Sequence, residues 1–218
     1  ASPQVRVVVE DGRMFFHASR DVYDVIVGDL FVPWQAGTAN LYTREQFAAV
    51  RDHLAPGGLF AQWLPLFQLD AAGFFGIAAT FEAVFPNAWL AIADFQPYNP
   101  ALALVGWRDA AGAPAAGTIA ARCREVSPLG RLREPMLADV AGVGTFLVGP
   151  LSGTLPPGTA LMTLDRPWLA DHAPRVQRAR PERYFTGAPL VACLQRVAAG
   201  CPDSTLVPHI QRGQQLYE

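Results

Sequence analysis

The chain has 218 residues, 51% hydrophobic and 17% charged, with a net charge of −2. That length and apolar content suffice for one domain or one and a half, and they exclude a disordered chain. All 17 basic residues are arginine, which excludes a Gly-Lys-Ser/Thr phosphate loop, a Schiff-base enzyme and a lysine general base. A weakly acidic chain also lacks the basic stripe that nucleic acid requires. Cys123, Cys193 and Cys201 form no CxxC pair and the four histidines are scattered, so no metal site is expected. The odd cysteine count fits a reducing compartment, the cytoplasm. No apolar run reaches the roughly 18 to 20 residues that span a bilayer.

In chain order, Val5-Arg6-Val7-Val8-Val9 is a β-branched run closed by Glu10-Asp11-Gly12, which predicts a strand entering a turn. Asp24 to Asp29 predicts a second short strand, apolar on both faces as in a parallel sheet. Thr43 with Gln46 three residues on is a capping-box pattern, followed by Phe47, Val50 and Leu54 at helical spacing. Pro56-Gly57-Gly58 is expected to end that helix, and Leu59 to Leu64 to form a third strand. A helix over about 70–84 carries Phe74, Ile77, Phe81 and Val84 along one face. Trp89–Ala93 and Leu102–Trp107 then form a hairpin around Gln96-Pro97-Tyr98-Asn99-Pro100. Strand and helix alternate, which predicts an α/β sheet, mostly parallel with an antiparallel C-terminal hairpin.

Composition shifts at Asp109, where an Ala/Gly/Pro-rich stretch to Gly117 reads as a linker. Two regions are expected, 1–108 and 109–218, the second helical or irregular. The first holds 6 Arg against 10 acids, net −4, and the second 11 against 9, net +2.

Ligands of open α/β sheets bind beyond the carboxyl ends of the strands. Three such ends carry polar residues: Glu10-Asp11-Gly12, Asp29 and Gln62. Acids gathered on one rim suit a cationic ligand. Trp34 and Trp63, next to two of these ends, could meet an amine by cation–π contact.

These segments, read in order with Leu41-Tyr42-Thr43 and Leu54-Ala55-Pro56-Gly57-Gly58-Leu59-Phe60-Ala61-Gln62, resemble the spermidine synthase (polyamine aminopropyltransferase) family. Asp29-Leu30-Phe31-Val32-Pro33-Trp34, Gln62-Trp63-Leu64-Pro65-Leu66 and Thr163-Leu164-Asp165-Arg166-Pro167 are similar to its bacterial branch, whose members are often fused to a membrane segment. The resemblance implies a Rossmann-like, methyltransferase-type fold over 1–108. It also implies aminopropyl transfer from decarboxylated S-adenosylmethionine, a co-substrate, to a small-molecule amine, with no tightly bound cofactor and no metal. Asp29 matches the catalytic aspartate, and also lies against the donor. Asp11 matches the acceptor of the adenine amino group, and Gly12 would let the backbone approach it. Tyr42, with a catalytic part as well, Gln62 and Trp34 match positions near the acceptor amine.

The family's second aspartate falls at Val32 here, which weakens the grip on a diamine. Its Gly-rich loop and acidic ribose-binding strand end would precede residue 1, so the sheet is expected to be incomplete at the N-terminus. A missing N-terminal portion, direct pairing of the Val5–Val9 and Val25–Val27 strands with each other, a partner chain or a homo-oligomer would then close the open strand edges. Two other readings stand beside the enzyme: S-adenosylmethionine-dependent methyl transfer on the same scaffold, and a non-catalytic protein that keeps the scaffold and acts by association.

Overall fold

A computed structural model describes residues 5–93, 95–96, 98–109, 114–126, 137–179 and 183–217. Asp11 accepts from the Arg13 N–H and so caps the first helix, α1 (Gly12–Ala18). The apolar run Val25-Ile26-Val27 lies in strand β1 (Tyr23–Gly28). A 3-10 turn, Thr38–Tyr42, leads to α2 (Arg44–Asp52), where Thr43 Oγ1 accepts from Gln46 N, as the capping pattern predicts. Strand β2 (Leu54–Pro65) follows, then α3 (Ala71–Glu82), whose N-cap is Asp70. The expected hairpin is β3 (Trp89–Ile92) with β4 (Ala101–Trp107). Its turn residues 94 and 97 lie outside the described residues, as do 110–113 of the expected linker. Helices α4 (Ala116–Val126) and α5 (Val140–Phe146), strand β5 (Leu147–Pro150), and helices α6 (Leu169–Arg178), α7 (Gly187–Ala198) and α8 (Val207–Tyr217) complete the order.

The strands form one sheet in the order β1-β2-β4-β3-β5, an α/β fold of Rossmann-like, methyltransferase-type layout. Its parallel part is β1 with β2; the pairings β2–β4, β4–β3 and β3–β5 are antiparallel. Among the described residues no helix is long and apolar enough to cross a membrane.

Two expectations are corrected. Val5–Val9 form no strand and lie exposed, because a strand needs a neighbour for its ladder bonds and none of the described strands flanks this one. The second concerns Pro56-Gly57-Gly58, which does not merely end the helix. α2 stops at Asp52, and the Pro-Gly-Gly sits inside β2 as a bulge, between the pairs Tyr23↔Leu54 and Val25↔Leu59. Gly57 takes a left-handed φ of 74°, and a Cβ on Gly58 would stand 3.0 Å from the Asp24 carbonyl. Glycines let the chain kink there without losing the ladder.

One face of the sheet is filled by aromatic rings from α2, α3 and β2. Phe81 meets Phe47 at 5.2 Å, Phe60 at 5.6 Å and Phe85 at 4.8 Å between ring centroids, and all four are buried. On the other face Trp89 packs with Leu206 and Ile210 of the C-terminal helical region. Phe60 also meets Phe47 and Phe85, at 6.1 and 5.9 Å, but the contacts of Phe81 are closer. Phe81→Ala should therefore lower unfolding free energy by about 3–5 kcal/mol in a urea titration. A loss below about 1 kcal/mol would mean that the cluster collapses around the gap or carries little packing.

Candidate active site

β1 emerges from the sheet at Gly28, and Asp29 follows at once. Its carboxylate is exposed; Oδ1 accepts from Leu30 N at 2.7 Å, and among the described residues no arginine pairs with it. A cavity of about 200 Å³ opens beside this strand end. Gly12, Phe16, Gly28, Phe31, Phe60 and Gln62 contribute to its wall. The structure thus brings together three of the positions singled out by sequence: Gly12, Gln62 and the end of β1.

Asp11 stands at the same N-terminal end of α1 as Gly12 but in the open. Its Oδ2 pairs with Arg13 Nη2 at 3.3 Å, and Arg13, by hydrogen bond and charge, holds the carboxyl below the ordinary aspartate range. Because Val5–Val9 form no strand, Asp11 is a helix cap and not a strand end. Trp34 is exposed, in the irregular segment after Asp29, and Trp63 is half-buried in β2.

Gln62 and Tyr42 differ most from expectation. Gln62 is not at a strand end: β2 continues three residues to Pro65, and Gln62 lies opposite Gly28 in the parallel ladder. It is 1% exposed, and its Nε2 donates to the carbonyls of Trp63 (3.0 Å), Asp29 (3.2 Å) and Gly28 (3.4 Å). A Cβ on Gly28 would collide with the Gln62 amide, so the glycine is what lets the glutamine cross between strands. Tyr42, expected at the rim, is 0% exposed. Its hydroxyl donates to the Phe31 carbonyl at 3.5 Å and its ring packs edge-on against Phe31. The aromatic residue caps the core here because the 3-10 turn carries it inward.

One polar pair left no mark in the local sequence. His172 Nε2 lies 2.9 Å from both carboxylate oxygens of Asp70, which also accepts from Gly73 N as the α3 cap. Trp168 packs edge-on against His172, and both line a second, largely apolar cavity of about 460 Å³ with Phe75. The partners are 102 residues apart, so only tertiary structure joins them. Asp165 and Arg166 are exposed, and the turn they occupy is closed by the Arg166 N–H on Thr163. Among the described residues no cluster could hold a metal ion.

Burial drives the Tyr42 phenol well above its ordinary value of 10.0. The folded state then keeps a proton that the unfolded chain gives up, so stability is full below about pH 10 and falls as pH rises beyond it. With no lysine titrating in that range, Tyr42→Phe should flatten the decline in melting temperature between about pH 10 and 11.5. An unaltered slope in the variant would assign the decline to other groups.

Residues 1–99, of 218, match the Spermine/spermidine synthase domain family. A polyamine aminopropyltransferase from Synechococcus sp. (strain JA-2-3B'a(2-13)) is 34% identical over 98 residues, 44% of this chain. The match spans 29% of the length of that relative.

Proposed function

From the kinship of residues 1–99 with the spermidine synthase family, we propose that this chain carries the amine side of an aminopropyl-transfer site, with Asp29 as its base. The observation that carries the reading is an exposed carboxylate at the end of a parallel strand, beside a cavity and with no arginine partner among the described residues. The donor in this reading is decarboxylated S-adenosylmethionine, whose sulfonium activates the adjoining carbon without a metal. Its acceptor amine, with a pKa of roughly 10, arrives protonated at neutral pH. Asp29 would hold that cation and take a proton from it, exposing the nitrogen lone pair. Nitrogen attacks the carbon next to sulfur, the C–S electrons return to sulfur, and methylthioadenosine leaves. The product leaves as a secondary ammonium, and the proton held by Asp29 passes to water, which restores the carboxylate.

Asp11 is assigned to the adenine amino group. Its carboxylate is kept ionised by Arg13 yet is half exposed, so it retains acceptor capacity. Gly12 gives close access to the cavity wall, and the exposed Trp34 indole offers a face to the amine.

A second reading has its own observation. Among the described residues β1 pairs on one side only, and Val25 and Val27 are 55% and 57% exposed, an apolar sheet edge of the kind that marks association. Isothermal titration with decarboxylated and intact S-adenosylmethionine separates the two: binding of neither, in a chain that self-associates, favours association over transfer.

Asp29→Asn keeps the side-chain shape and removes the charge. It should reduce aminopropyl transfer about a hundredfold or more, measured as methylthioadenosine release. Undiminished transfer would remove Asp29 as the base. Asp11→Ala should weaken nucleoside binding about tenfold, the scale of one charge-assisted hydrogen bond, and, by removing the α1 cap, lower stability by about 1 kcal/mol with the fold kept.

A further inference from the structure

Two buried side chains grip the backbone of the segment that carries Asp29, each from a different element. From β2, the Gln62 amide donates to the carbonyls of Gly28 and Asp29. From the 3-10 turn before α2, the Tyr42 hydroxyl donates to the carbonyl of Phe31. Both side chains are within 1% of fully buried, and their recorded polar contacts go to main-chain carbonyls. The Tyr42 hydroxyl and the Gln62 Nε2 are thereby committed to the backbone, while Gln62 Oε1, on a residue of the cavity wall, makes no hydrogen bond among the described residues. By contrast, among the described residues the Asp29 side chain has a single anchor of its own, the Leu30 N–H. An exposed aspartate on an irregular segment would otherwise sample many backbone directions, at a conformational cost to any reaction that needs one.

We propose that Gln62 and Tyr42 are positioning residues: through the Gln62 Nε2 and the Tyr42 hydroxyl they fix the Gly28–Phe31 backbone so that the Asp29 carboxylate is aimed before substrate arrives. The claim rests on Asp29 being the base as far as rate is concerned, but the backbone grip stands independently of it. Gly28 belongs to the device, because any larger residue there would push the Gln62 amide off its carbonyls.

The test uses Gln62→Met, which keeps volume and removes the donor, and Tyr42→Phe, which removes only the hydroxyl. Hydrogen–deuterium exchange in the full chain reads the grip directly. Peptides covering 28–34 should exchange about tenfold faster in either variant, the scale of one lost hydrogen bond, with β4 and α3 unchanged. No change at 28–34, or a rise throughout the sheet, would overturn the proposal. In turnover, each variant should lower kcat with KM for the amine within about twofold, and should add nothing to the loss already caused by Asp29→Asn. A raised KM with kcat intact would make Gln62 or Tyr42 a substrate contact and overturn it as well. If Asp29→Asn alone leaves transfer intact, the base assignment fails while the exchange result still decides the grip. Should Gln62→Met fail to fold, Tyr42→Phe gives the same two readouts from the other element.

Discussion

The parallel ladder between β1 and β2 is the constraint on which the rest of the candidate site depends. It is the one parallel pairing among the described strands, and it sets where Asp29 leaves the sheet. Its register is enforced at both ends by glycine. At the entry, the Pro-Gly-Gly bulge absorbs extra residues of β2 without breaking the pairing. At the exit, Gly28 gives room for Gln62 to lie across the two strands. Between them, Ile26 and Phe60 lie opposite each other, and Phe60 joins the aromatic cluster that covers one face. Hydrophobic burial thus holds the strands side by side, and a few polar contacts fix the last residue of register.

Electrostatics around this strand end are sparse and uneven. Asp11 has an arginine within reach and Asp29 has none among the described residues. A paired carboxylate is suited to accept a hydrogen bond and stay charged, while an unpaired one is suited to meet a cation and exchange a proton with it. The division of labour proposed for the two aspartates follows from that difference, together with the exposed position of both.

Local signals were legible in the sequence, and long-range ones were not. Thr43 and Asp70 cap helices as their types and spacing predict, since a cap is a contact over two or three residues. The hairpin of β3 and β4 was equally legible, because its turn chemistry and apolar runs are adjacent. Val5–Val9 carry the same β-branched signature as a true strand, yet strand formation depends on a partner that composition cannot supply. The family resemblance places Gln62 and Tyr42 near the acceptor amine, and Gln62 also reads as a strand end. Their burial follows from β2 running on to Pro65 and from the inward turn of residues 38–42. A clue was present in the pairing of a glycine with a glutamine at matched depths in two strands, though only the register reveals the match. The Asp70–His172 pair offered no clue at all.

The fit between Gly28 and Gln62 also constrains how this sequence can drift. An alanine at 28 would meet the Gln62 amide and displace it, and a smaller residue at 62 would leave the Gly28 and Asp29 carbonyls without their donor. A change at either position thus alters what the other can do, and the two are coupled across the ladder.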